Sequence, residues 1–214
     1  MNSIYIDDIE QGTPEWHALR LGIPTASCFD RIVTPAKGEL STQSSAYLHE
    51  LLAEWLSGAS GASFSSPWTE RGTDLEPEAR AYYAFERDTD VHQVGFVFAD
   101  STRMVGCSPD GIVGDDGLLE FKCPKPATHI GYLLAGKLPT TYRAQVQGSL
   151  MVTERLWCDF VSYCPGLPPL IVRVERDTDY IAKLRAGLKT FIERLHEGRA
   201  ALAAKGYAPL REAA

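Results

Sequence analysis

"CSPDGIVGDDGLLEFKCP", residues 107–124, is built like a β-hairpin, yet it carries Asp110, Glu120 and Lys122 where the pattern calls for a core-facing strand. Side chains two apart on a strand share a face. Glu120 and Lys122 therefore project together, and Phe121 points the other way. "GDDG" (114–117) has hairpin-turn chemistry, so Asp115 and Asp116 read as turn residues. Asp110 then falls on the preceding strand, beside Glu120. Two adjacent carboxylates repel unless a cation lies between them. Oxygen ligands alone favour a hard ion, Mg²⁺ or Mn²⁺, over zinc. The backbone carbonyl of Phe121 is a fitting third protein ligand. Beside such an ion, Lys122 can hold the attacking water, orient it or take its proton. The last role needs a pKa lowered from about 10.4.

An acid and a base two apart on a strand also form an ordinary ion-pair face. The apolar flanks argue against that here: Leu118, Leu119 and Phe121 mark the strand as interior.

Working outward, a helix is expected through "QSSAYLHELLAEWL" (43–56), with Ser41 as a capping residue. A Ser/Gly-rich loop, "SGASGASFSSP" (57–67), follows. A second helix covers "WTERGTDLEPEARAYYAFERD" (68–88), with a new first turn or a kink near Pro77. Residues 91–100, 103–113 and 117–123 read as strands, 126–135 and 139–152 as helices, and 155–164 and 170–175 as strands. Ile181, Leu184, Leu188, Phe191 and Leu195 recur at helical spacing in a long closing helix. Helices, a central mixed sheet and helices again predict an α/β sandwich in one domain, 1–214, with its core at about 10–205.

Composition excludes several classes. No apolar run reaches the roughly 18 residues of a membrane span. The acidic "MNSIYIDDIEQG" lacks a signal-peptide core, so a cytoplasmic location is expected. The five cysteines form no CxxC pair, and the five histidines no HExxH, which argues against a zinc or iron–sulfur site. A net charge of −7 argues against a broad phosphate-binding face, but not against a few placed arginines and a bound cation.

"PDG…LEFK" resembles the PD-(D/E)xK nuclease motif, and the wider chain resembles the lambda exonuclease (YqaJ-like viral recombinase) family. "EWHALRLGIPTAS" (15–27), "ERGTDLEPEARAYY", "CSPDG", "LEFKCP" and "YRAQVQGSLMVT" match family blocks in the same order, over roughly residues 10–195. The resemblance implies a restriction-endonuclease-like core: a central mixed β-sheet flanked by helices. It implies metal ligation by Asp110, Glu120 and the Phe121 carbonyl, with Lys122 serving the water. Glu76 and Gln145 would face the site, whereas Gln147 would point elsewhere. Glu70, Asp74 and Glu78 read as solvated helix charges. Arg20 and Ser27 would hold a 5′-phosphate, a role that suits a guanidinium fork and a hydroxyl. Without the family, Arg20 reads as a surface arginine. Trp16 is a candidate for base stacking or for the core.

The activity so implied is Mg²⁺- or Mn²⁺-dependent 5′-to-3′ digestion of one strand of linear duplex DNA, with two ions once substrate is bound. The implied partners are duplex DNA ends, two further copies in a homotrimer ring, and a phage-type single-strand-annealing protein. Other readings stay open: another PD-(D/E)xK enzyme, such as an endonuclease or a Cas4-like or RecB-like nuclease, or a non-catalytic DNA-binding module. A glycosidase using the two carboxylates would leave Lys122 unexplained.

Overall fold

A computed structural model describes residues 2–60 and 67–210, without the side chains of 67–73. Residues 61–66 of the Ser/Gly-rich stretch, the side chain of Glu70 and the last four residues lie outside that description. The chain runs through strand β1 (Ile4–Ile6), helix α1 (Pro14–Arg20), a 3₁₀ turn (Ala26–Arg31), and helices α2 (Ser44–Ser57) and α3 (Pro67–Arg87). Strands β2 (Phe96–Phe98), β3 (Gly106–Cys107), β4 (Gly111–Val113) and β5 (Gly117–Lys122) follow, then helix α4 (Pro126–Ala135). A second 3₁₀ turn (Thr140–Tyr142), helix α5 (Arg143–Thr153), strands β6 (Trp157–Ser162) and β7 (Leu170–Glu175), and helix α6 (Thr178–Ala204) complete it.

The hairpin forms as its turn chemistry predicts: Gly111 pairs with Leu119 and Val113 with Gly117. Strand β6 joins β5 in parallel, with Glu120 opposite Phe160, and β7 closes the sheet antiparallel in the order β4-β5-β6-β7. This is the mixed sheet expected, and helices flank it.

The expected strands 91–100 and 103–113 are corrected. The chain there yields three short strands divided between two ladders. β2 pairs with β1 on one side and with β3 on the other, while β4 belongs to the mixed sheet. The break between β3 and β4 falls at residues 108–110, where Pro109 has no N–H to give a ladder. A Cβ at Gly106 would lie 2.2 Å from the Phe96 ring, and one at Gly111 2.6 Å from Val91. β1 is an element the sequence pattern did not reveal. Two helix expectations also shift: α5 begins at Arg143, after the 3₁₀ turn, and α3 runs on through Pro77.

The main core lies between the mixed sheet and α5 and α6. Tyr180, Ile181, Leu184, Leu188, Phe191 and Leu195 form the buried stripe of α6, each fully buried large side chain contributing about 1.5–3 kcal/mol. α5 is buried along almost its whole length, from Val146 to Thr153. Gly148 lets the first 3₁₀ turn seat directly on it, because a Cβ there would lie 2.4 Å from the Phe29 ring. That contact brings the turn carrying Ser27 to the helix carrying Gln145. On the other face of the sheet, α3 packs through Ala79 and Tyr83 against Leu119, Phe121 and Val161.

Candidate active site

The two faces of β5 separate its side chains. Leu119 and Phe121 pack toward α3, and Glu120 and Lys122 project toward α5. Glu120 is 2% exposed. Its Oε1 accepts from Lys122 Nζ at 2.5 Å and from Gln145 Nε2 at 2.6 Å. Asp110 precedes β4 by one residue and lies across the hairpin from Glu120; its N–H donates to Leu119 O at 3.2 Å. Asp110 Oδ2 accepts from the Phe121 N–H at 2.6 Å. A strand residue's N–H and C=O point to the same edge. The Phe121 carbonyl therefore faces the edge occupied by the Asp110 carboxylate.

Three acidic groups, Asp110, Glu120 and Glu76, share this corner with Lys122. Burial, then the Glu120 charge, pushes the Asp110 carboxyl well above the usual carboxylate range. Burial also raises Glu76, against the pull of Lys122 and Arg80. Burial alone would lower Lys122, but Glu120 and Asp110 together outweigh it and hold the ammonium above its ordinary value. Lys122 is the cation that the carboxylates hold, and a dication on those carboxylates would neutralise the charges that raise it. Among the described residues no three His, Cys, Asp or Glu side chains converge as a ligand cluster. The donors available are two carboxylates and one backbone carbonyl, which suit Mg²⁺ or Mn²⁺ and not zinc.

This corner opens into a cleft of about 600 Å³ whose walls include Arg20, Ser27, Glu76, Arg80, Asp110 and Gln145. The opposite wall begins with α1, where Thr13 caps the helix by accepting from the Trp16 N–H at 3.3 Å and Pro14 occupies the first turn. Trp16 and Arg20 are one turn apart and share a face. The guanidinium carbon of Arg20 lies 3.9 Å over the Trp16 ring. Trp16 Nε1 donates to Gly95 O at 2.9 Å and to Ser108 Oγ at 3.0 Å, so its indole is a fixed, half-buried wall of the cleft.

Arg20 is not the surface arginine its sequence context suggested: it is half-buried, and burial lowers its pKa. Its Nη2 lies 3.5 Å from Thr25 Oγ1, which in turn lies 3.3 Å from Ser27 Oγ. A guanidinium and two hydroxyls thus converge on one side of the cleft.

Glu76 and Gln145 line the cleft, whereas Gln147 is buried and bonded to Glu175 O and the Asp177 N–H. Asp74 is exposed, and Glu78, also exposed, accepts from the Tyr163 hydroxyl at 2.5 Å. Sequence reasoning missed Thr25, Arg80 and Gln93, which also line the cleft. Arg80 carried a usable signal, since it follows Glu76 by four residues and so shares its helix face. Gln11 was missed as well; it ties the loop before α1 to the site by donating to Val94 O at 2.9 Å and Pro109 O at 3.0 Å.

Known proteins resemble the chain in sequence and fold. The family model of the YqaJ-like viral recombinase domain matches residues 15–156. The crystal structure of an alkaline exonuclease from Laribacter hongkongensis is similar at 37% identity and a TM-score of 0.82, covering 91% of this chain and 98% of that one. The same enzyme in complex with dAMP matches at 37% identity and a TM-score of 0.81, with the same shares of both chains covered. A phage-related exonuclease from Haemophilus somnus 129PT, at 15% identity and a TM-score of 0.64 over 82% of this chain and 94% of that one, shares the fold. No curated protein matches the chain.

Proposed function

The chain belongs to the YqaJ-like viral recombinase family, and from that premise we propose that it is a Mg²⁺- or Mn²⁺-dependent exonuclease that digests one strand of linear duplex DNA from its 5′ end. One observation carries the reading. Glu120, buried and bonded to both Lys122 and Gln145, lies across the hairpin from Asp110 at the end of a cleft whose other wall carries Arg20, Thr25 and Ser27.

Asp110, Glu120 and the Phe121 carbonyl would hold the metal, with Glu76 positioned for a second ion or for water once substrate is bound. The metal's chemistry is to acidify water and to stabilise charge on the phosphoryl oxygens. Lys122 and Gln145, both anchored on Glu120, orient the attacking water. The water oxygen bonds to phosphorus, the bond to the departing nucleotide's 3′-oxygen breaks, and that oxygen leaves as a hydroxyl. Arg20 and Ser27, with Thr25 between them, hold the departing nucleotide's 5′-phosphate. Each cut leaves a new 5′-phosphate on the strand, so the same seat serves every later step. A related enzyme bound to dAMP fits release of single nucleotides.

The product would be a 3′ overhang, suited to a phage-type single-strand-annealing protein. A chain with net charge −7 holds duplex DNA weakly by charge alone. A homotrimer ring would keep the enzyme on its substrate by enclosure, with an acidic exterior that repels DNA outside the channel.

The test is digestion of duplex labelled separately at each end, with and without Mg²⁺, alongside closed circular DNA. Loss of the 5′ label as mononucleotide, in Mg²⁺ only, is expected. Cutting of circles, or release from the 3′ end, contradicts the reading. Light scattering checks the ring: three chains are expected, and a monomer that digests processively in excess competitor DNA contradicts enclosure.

A further inference from the structure

Arg80 takes no part in that scheme, yet it stands on the cleft wall one helical turn from Glu76 and against the backbone of Asp110. Its Nε donates to Asp110 O at 3.2 Å. The Gln93 amide, turned so that its oxygen faces the guanidinium, accepts from Nη1 at 3.2 Å and Nη2 at 3.0 Å. The group also lies 6.0 Å over the Phe121 ring. Every one of these partners is neutral. Among the described residues no carboxylate forms an ion pair with Arg80, in contrast to Arg31, Arg143 and Arg173. The guanidinium is therefore fixed in orientation while keeping its full charge and further N–H donors.

We infer that Arg80, held in place by Gln93, binds a backbone phosphate of the strand being cut, at a position separate from the terminal phosphate seat of Arg20 and Ser27. The inference deepens the nuclease reading and rests on it. Three features converge on this role. A half-buried arginine given only neutral acceptors has a charge left for an anion from outside. The fork geometry suits a phosphate's paired oxygens. And Glu76, one helical turn away on the same cleft wall, is a group a metal would neutralise, which leaves phosphate as the anion for Arg80 in the loaded cleft. The two arginines also belong to different walls, Arg20 on α1 and Arg80 on α3. One phosphate on each side would hold a strand across the metal-binding corner at two points.

The competing role is structural: Arg80 as a tie that only positions Asp110. Loss of cleavage would follow in either case, so the deciding readout is binding. Fluorescently labelled, 5′-phosphorylated duplex is titrated in Mg²⁺ at several KCl concentrations with the non-cutting Lys122→Ala protein, alone and carrying Arg80→Ala, Arg80→Lys or Gln93→Ala, with melting curves to establish folding. The expected result for Arg80→Ala is about tenfold weaker binding and a salt slope shallower by about one. Arg80→Lys, which keeps a charge, should restore the slope, and Gln93→Ala should lose less affinity and keep the slope. If Arg80→Ala does not fold, Arg80→Gln takes its place and should show the same loss. Unchanged affinity and slope in a folded, charge-removing Arg80 variant would overturn the inference while leaving the nuclease reading intact. A wild-type protein that neither binds nor cuts duplex would overturn both.

Discussion

Two buried carboxylates sit on neighbouring strands of the mixed sheet and face opposite sides of it. Asp159 on β6 is 1% exposed and Glu120 on β5 is 2% exposed. Asp159 is fully matched. Arg173 forks onto it at 2.5 and 2.9 Å, the Tyr83 hydroxyl donates to it at 2.7 Å, and the guanidinium stacks 3.5 Å over Trp157. One acid meets one base and a hydroxyl, and the cluster ties α3 to the sheet. On the other side, Glu120 and Asp110 share one lysine, with Glu76 nearby. Burial of charge is common to both. What separates them is balance: one cluster is complete within the chain, and the other carries surplus negative charge. A buried carboxylate alone therefore says little about function, whereas an unbalanced pair on a cleft points to a ligand.

Substitutions should separate the two clusters sharply. The largest effect is on cleavage. Asp110→Asn and Glu120→Gln should abolish it, and Lys122→Ala should lose turnover while keeping the metal response, as read by single-turnover assays and melting with Mg²⁺. Near-wild-type cutting by Asp110→Asn or Glu120→Gln breaks the contrast. Arg20→Ala comes next: wild type should prefer a 5′-phosphate over a 5′-hydroxyl, and the variant should lose about tenfold of that preference, the scale of one charge-assisted hydrogen bond at about 1.5–3 kcal/mol.

Stability effects are smaller and opposite in sign. Asp110 has a folded pKa raised above its unfolded value by burial first and Glu120 second. Its ionisation therefore opposes folding once pH exceeds the ordinary carboxylate range. In EDTA at pH 8, Asp110→Asn should melt at or above wild type. Asp159→Asn should be less stable than wild type by about 1.5 kcal/mol, because the charge-assisted bonds from Arg173 are lost while its half-exposed guanidinium returns to water. Smallest is Tyr83→Phe, which removes one hydroxyl and should cost about 1 kcal/mol by denaturant titration.

Much of the site was legible because strand periodicity is local. Glu120, Lys122 and the turn at 114–117 follow from alternation alone, and the facing of Asp110 follows from the hairpin. The roles assigned to Glu76, Gln145, Arg20 and Ser27 came from the family resemblance; spacing by itself could not set Gln145 apart from Gln147. Other features depend on tertiary approach. β1 is three residues long and gains its identity by pairing with β2. In the run 91–113, Pro109 was a local sign of the break, whereas nothing local signals that Gly106 must admit the Phe96 ring. Arg80 and Gln93 are far apart in sequence and meet only once α3 lies on the sheet.

If the surplus charge at Asp110 and Glu120 is a metal site, ligand-induced stabilisation measures it directly. A ligand that binds only the folded state raises stability by RT ln(1 + [L]/Kd). Melting temperatures of wild type, Asp110→Asn, Glu120→Gln and Asp159→Asn are recorded across a Mg²⁺ and a Mn²⁺ titration at fixed ionic strength. Wild type and Asp159→Asn should rise together, and Asp110→Asn and Glu120→Gln should stay flat. Equal rises in all four proteins, or no rise in wild type, would contradict the account.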